Sequence, residues 1–147
     1  MRKIVYAASI IAVVLGTVAC KPKSGSQTHE VQAIDAAHNS RNSVNWEGVY
    51  KGVIPCADCD GIFVQLMLNE DETYQLIYQY VGKKDAPYIY SGKFKWDDAG
   101  ANITLDIKDL PARYKVGENK LFQLDMEGNR ITGKLADKYE LTKNCVE

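Results

Sequence analysis

Cys56 and Cys59, in the run Val53-Ile54-Pro55-Cys56-Ala57-Asp58-Cys59-Asp60-Gly61-Ile62, are the residues of this chain whose types and spacing point most directly to chemistry. Such a pair can hold a metal, work as a thiol/disulfide couple, or close a tight loop as a permanent bridge. A thioredoxin-type centre needs its first cysteine at a helix N-terminus, where the dipole lowers the thiol pKa. Here an Asp-Gly turn and an alternating apolar run follow instead, and Asp58 and Asp60 disfavour a thiolate. A structural zinc site needs about two further ligands. Beyond residue 45 the sequence offers no histidine and one other cysteine, Cys145. Copper(I) is satisfied by soft thiolates, with Met67 or Cys145 as further sulfur donors. In an oxidising compartment the pair closes as a short-loop disulfide. On the residues alone these readings stay open.

Other chemistry is poorly supplied. A Ser-His-Asp or Cys-His arrangement needs a histidine in the folded region, and both histidines, His29 and His38, fall in a polar segment that reads as solvated linker. The acidic pairs Glu70-Asp71 and Asp97-Asp98 sit in turn sequences, and no glycine-rich phosphate loop is present. A non-catalytic protein is therefore expected. The formal net charge is −1 and there is no basic run, so no nucleic-acid partner is expected.

The compartment is read from the N-terminus. Arg2 and Lys3 precede an almost unbroken apolar run, Ile4 to Val18, which ends at Ala19-Cys20. Residues 1–19 read as a secretory signal peptide, too short for a comfortable transmembrane span. A cysteine directly after a small residue at the cleavage point is similar to a bacterial lipobox, although Thr17 stands where such boxes usually have leucine. Cys20 is thus expected to carry the lipid and to attach the mature chain to a membrane, and the pair Cys56/Cys59 is expected to meet an oxidising envelope. Residues 20–45 read as the lipidated cysteine plus a tether rich in Ser, Asn, Gln, Lys and Ala and without aromatics. Such a segment buries too little apolar surface to offset its ordering entropy, and as a random coil it spans roughly 25–30 Å.

From residue 46 to 147 a single domain is expected, and it must position the cysteines with strands. Ile62, Val64, Leu66 and Leu68 alternate with Phe63, Gln65 and Met67, and Tyr74, Leu76, Tyr78 and Tyr80 alternate with Gln75, Ile77 and Gln79. Tyr88, Tyr90, Gly92, Phe94 and Trp96 share one face, as do Ile103, Leu105 and Ile107. Period two of this kind marks half-buried strands. Shorter candidates cover 46–54, 112–116, 121–126, 130–135 and 138–143. The breaks, among them "NEDET", "GKKDAP", "DDAGAN" and "VGENK", are turn sequences. Short turns between strands give an antiparallel meander, and closing it removes exposed edges. The expected fold is all-β, a small antiparallel meander β-barrel, with a two-sheet sandwich as the alternative. About eight strands enclose only their own side chains, so the aromatic stripe is expected to be core.

The run Tyr50-Lys51-Gly52-Val53-Ile54-Pro55-Cys56-Ala57-Asp58-Cys59-Asp60-Gly61-Ile62, continued by Leu66, Leu68, Thr73 and Tyr74, resembles the signature of the NlpE N-terminal domain family. The resemblance spans about residues 46–143, and the P-C-A-D-C-x-G-I core is its most specific part. It implies a lipocalin-like barrel on a lipid anchor in the outer membrane, facing the periplasm. It further implies a non-catalytic role in copper homeostasis or resistance and in envelope stress sensing, with an envelope sensor kinase or another envelope protein as partner. Cys56 and Cys59 carry over as a disulfide or Cu(I) site, and Cys145 is an extra thiol. Full-length relatives carry a second, OB-fold domain with cysteines of its own, for which no counterpart is expected here. The alternative is a structural or small-ligand-binding lipoprotein whose cysteines are only a staple.

Overall fold

The computed structural model describes residues 38–108 and 110–144, all within one compact unit. Cys20, His29 and Cys145, and residues 1–19 with their expected signal peptide, lie outside the described residues.

The alternating runs become strands β1 (Gly48–Ile54), β2 (Gly61–Leu68), β3 (Thr73–Val81), β4 (Tyr88–Trp96), β5 (Asn102–Leu105), β6 (Arg113–Gly117), β7 (Lys120–Gln123) and β8 (Glu140–Lys143). Each pairs antiparallel with the next, and β8 returns to β1 through Tyr50↔Lys143 and Lys51↔Thr142, which closes the barrel. The register of β1 on β2, Gly52↔Val64 and Ile54↔Ile62, and of β2 on β3, Val64↔Tyr78 and Leu66↔Leu76, puts the even-numbered apolar residues inside. Tyr50, Val64, Leu66, Leu76, Phe94, Tyr114, Val116 and Leu141 are each no more than 2% exposed. The aromatic stripe is therefore mostly core, as expected for a barrel of this size. Burial pushes the phenols of Tyr50 and Tyr78 up to about 12, with nearby acidic or phenolic groups adding to the effect.

At one inward position a neighbouring side chain fills the space that a Cβ would take. Gly92 lies opposite Tyr74 in the β3–β4 register, and the Asp106 carboxylate occupies the space where a Cβ on residue 92 would project. Asp106 also acts on the Tyr74 hydroxyl, whose pKa is raised by burial first and by this carboxylate second.

Two expected strands stop early. β5 stops at Leu105 and does not run on to Ile107: Asp106 N–H donates to Lys93 O (3.3 Å) and the chain then turns, with Ile107 packed on the core. β7 stops at Gln123 and does not reach Met126, because the Asp125 carboxylate takes Asn129 N–H at 2.7 Å and tightens a turn there. The ninth candidate, residues 130–135, is not a strand. It makes a single bridge, Leu124↔Arg130, and then breaks at Gly133 (φ +96°) into a 3₁₀ turn, Ala136–Tyr139.

A meander places alternate connections at opposite ends. Residues 69–72, 97–101 and 118–119 mark one end, which a short helix, α1 (Ser40–Ser43), joins. Asn39 caps α1 by accepting Asn42 N–H (3.2 Å). Arg41 N–H donates to Gly100 O (3.0 Å), and Ser40 Oγ donates to Val116 O (2.8 Å). Trp46 lies edge-on to Phe94 and Trp96, with centroids 5.7 and 5.5 Å away. These contacts bind to the barrel a stretch whose polar composition reads as tether. The other end carries residues 55–60, 82–87, 106–108, 110–112 and 124–139, and with them Cys56 and Cys59.

Candidate functional site

Strand β1 ends at Ile54 and β2 begins at Gly61, so Pro55 to Asp60 must reverse the chain within six residues. Cys56 and Cys59 close that turn as a disulfide, with their Cα atoms 5.4 Å apart. Both cysteines are half-buried and pack against the core cluster, as do Tyr80, Tyr90 and Tyr139. The carbonyl oxygen of Gly61 lies 3.1 Å from Cys59 Sγ. Asp58 Oδ1 lies 3.6 Å from Cys56 Sγ, so one carboxylate oxygen shares the turn with the sulfurs.

The neighbouring turn is fastened to this one. Lys83 Nζ sits 3.4 Å from Asp58 Oδ2, a pair in which the Asp58 side chain is 80% exposed. At Gly82 (φ +81°) an added Cβ would come within 2.5 Å of Asp60 Oδ2, so the left-handed backbone and the close approach both call for glycine. A cleft of about 230 Å³ lined by Asp58, Tyr80, Lys83 and Asp85 opens at this place. Tyr80 also stands edge-on to Tyr78 and Tyr88, with centroids 5.8 and 6.2 Å away.

Lys83 changes the electrostatic reading of the turn. Asp58 and Asp60 by themselves oppose a thiolate at Cys56, whereas the ammonium on Asp58 offsets one of those charges. The sequence signal was available: "GKKDAP" and "PCADCD" flank the same hairpin of β2 and β3, so both turns must lie at one barrel end. Met67 is placed elsewhere. It lies six residues along β2 from Gly61, roughly 20 Å away at strand rise, and it pairs with Val49 and Gln75 on the outer wall. It is therefore no donor to the cysteine pair. Among the described residues, Cys56, Asp58 and Cys59 form the group whose donor atoms converge, all within 4.8 Å of one another.

An eight-stranded closed meander whose first turn is sealed by a C-x-x-C bridge defines the class, a small all-β barrel with a disulfide at one end. The profile of the NlpE N-terminal domain matches residues 50–134, and the chain belongs to that family. It is 34% identical over 83 residues to Lipoprotein NlpE of Escherichia coli K12, a match covering 56% of this chain and 35% of that protein. The match thus spans about a third of its named relative. Among solved structures, a Shewanella oneidensis protein described as a lipoprotein is 46% identical with a TM-score of 0.67, over 74% of this chain and 97% of that one. The structure of the Cpx pathway activator NlpE from E. coli aligns at 27% identity and a TM-score of 0.48, over 59% of this chain and 46% of that one.

Proposed function

We propose that this protein is a membrane-anchored envelope lipoprotein of the NlpE type, non-catalytic, whose Cys56/Cys59 pair alternates between a disulfide and a dithiol that takes Cu(I). The observation that carries the reading is the C-x-x-C bridge closing an exposed turn at a barrel end in a member of this family. The donor chemistry fits. Once reduced, two sulfurs three residues apart on one turn offer soft ligands to a soft ion. The role that follows is in copper homeostasis and envelope stress sensing, with a sensor kinase or another envelope protein reading the loops around the pair. Lipidation at Cys20, at the end of the leader, would hold the domain on the periplasmic face of the outer membrane.

The test is a Cu(I) competition titration of the reduced chain against a colorimetric chelator, with Cys56→Ser/Cys59→Ser alongside. One tightly held ion is expected in the wild type and none in the double variant. Equal binding by the two would make the pair a staple. Cys20→Ser should leave the membrane fraction or remain as uncleaved precursor. Unchanged membrane partitioning with palmitate label would refute the anchor.

A further inference from the structure

The carboxylate between the two cysteines is unnecessary for a two-thiolate Cu(I) site, yet the fold places it with them. Asp58 Oδ1 is 3.6 Å from Cys56 Sγ. In a tetrahedral zinc site with bonds of about 2.0–2.3 Å, neighbouring ligand atoms lie roughly 3.5–3.8 Å apart. In the bridged turn the Cys56–Asp58 spacing is already that of such an edge, and the three donors, two of them joined by the S–S bond, fall within 4.8 Å of one another. The second carboxylate oxygen is held by Lys83 Nζ at 3.4 Å. We propose that the reduced turn is a second kind of metal site, one for a thiophilic divalent ion of the zinc or cadmium class. Cys56, Asp58 and Cys59 are its ligands, and Lys83 is the built-in cation that keeps Asp58 until the metal displaces it.

The inference rests on the reading above only in requiring that the pair can be reduced. A dithiol reductant breaks the Cys56–Cys59 bond, delivers two electrons and two protons, and leaves as its own disulfide. The divalent ion then takes the place of the two thiol protons, which pass to solvent. Lys83 keeps its proton and turns away from Asp58 into the cleft. Two thiolates and a carboxylate leave one position of a tetrahedral ion for water. A hard oxygen beside soft sulfurs favours a borderline divalent ion, whereas Cu(I) gains little from it. Displacing the lysine is easy because an exposed ion pair is weak and screened by water, and this one is largely exposed on the Asp58 side.

The test uses the reduced full chain under anaerobic conditions, titrated with Cd²⁺ and followed by the ultraviolet thiolate-to-cadmium charge-transfer band. Cu(I) competition runs in parallel. Wild type should bind one Cd²⁺. Asp58→Asn should bind Cd²⁺ at least about tenfold more weakly, with its Cu(I) affinity unchanged. Lys83→Met should bind Cd²⁺ more tightly, by up to about fivefold, because the competing cation is gone. Equal Cd²⁺ affinity in Asp58→Asn, or weaker binding in Lys83→Met, overturns the proposal. A wild type that takes Cu(I) but no Cd²⁺ overturns it while leaving the copper reading intact. If Cys56→Ser/Cys59→Ser matches wild type for both ions, both readings fall.

Discussion

Reducing the Cys56–Cys59 bond should weaken the domain without unfolding it. Cross-linking stabilises mainly by removing loop-closure entropy from the unfolded chain, by about 2.1 + 1.5R ln n cal/mol/K for n residues closed. The bridge spans a sequence separation of 3, so n is about 4 and the loss is about 6 cal/mol/K, or about 1.9 kcal/mol at 25 °C. Reduction keeps both side chains in place, so the packing of Cys56 and Cys59 against the core adds little to that figure. For a domain of about a hundred residues the midpoint of thermal unfolding should fall by about 8 °C or somewhat more. The assay is urea unfolding with and without a phosphine reductant in a Cys145→Ser background. Trp46 and Trp96 report fluorescence from the far end of the barrel, where they pack edge-on at 5.5 Å. Loss of the folded signal without urea, or a drop above about 4 kcal/mol, would refute the reasoning: the bridge would then be a condition of folding and could not serve as a reversible site.

Acid should act through the turn aspartates. Burial pulls the Asp97 pKa up, but hydrogen bonds from Asn102 and Ala101 outweigh it and hold the carboxyl below its usual value. Its contribution to stability is complete above about pH 4 and is lost as pH falls through the lower folded value, so Asp97→Asn should flatten the acid limb of a pH–stability curve. A steeper limb would contradict this. Leu66, wholly buried, should cost about 2–5 kcal/mol when cut to alanine, read as a shift in the urea midpoint at constant slope. Asn39→Ala removes the cap of α1 and should cost about 0.5–2 kcal/mol. Limited proteolysis of the wild type should leave a core whose N-terminus precedes Ser40; cleavage within residues 40–45 would show that α1 does not hold.

The barrel was legible because its signal is local. Period-two runs such as Ile62–Leu68 and Tyr74–Tyr80 fix strands, faces and core at once, and the register follows from which face is apolar. The failures lie where local pattern and tertiary contact disagree. Ile131 to Leu135 carries enough β-branched and apolar character to read as a strand, but Gly133 adopts φ +96° and the chain finds no partner beyond Arg130. Asn39 to Val44 reads as tether, since a single apolar residue packed on the core, Val44, makes no periodic pattern, and the other holds include hydrogen bonds to the backbone of Gly100 and Val116. The site was half legible. Cys56 and Cys59 announce themselves, and the oxidising compartment expected from residues 1–19 favours their bridge. Lys83 does not stand out, because its meaning depends on two turns meeting at one end of the meander.

The central claim is that the reduced Cys56/Cys59 pair holds copper through sulfur. Copper-edge X-ray absorption on the reduced, Cu(I)-loaded full chain tests it directly. A first shell of sulfur neighbours is expected, lost in Cys56→Ser/Cys59→Ser and kept in Cys145→Ser. A first shell of nitrogen or oxygen atoms, or a sulfur shell that survives in the double variant, would contradict it.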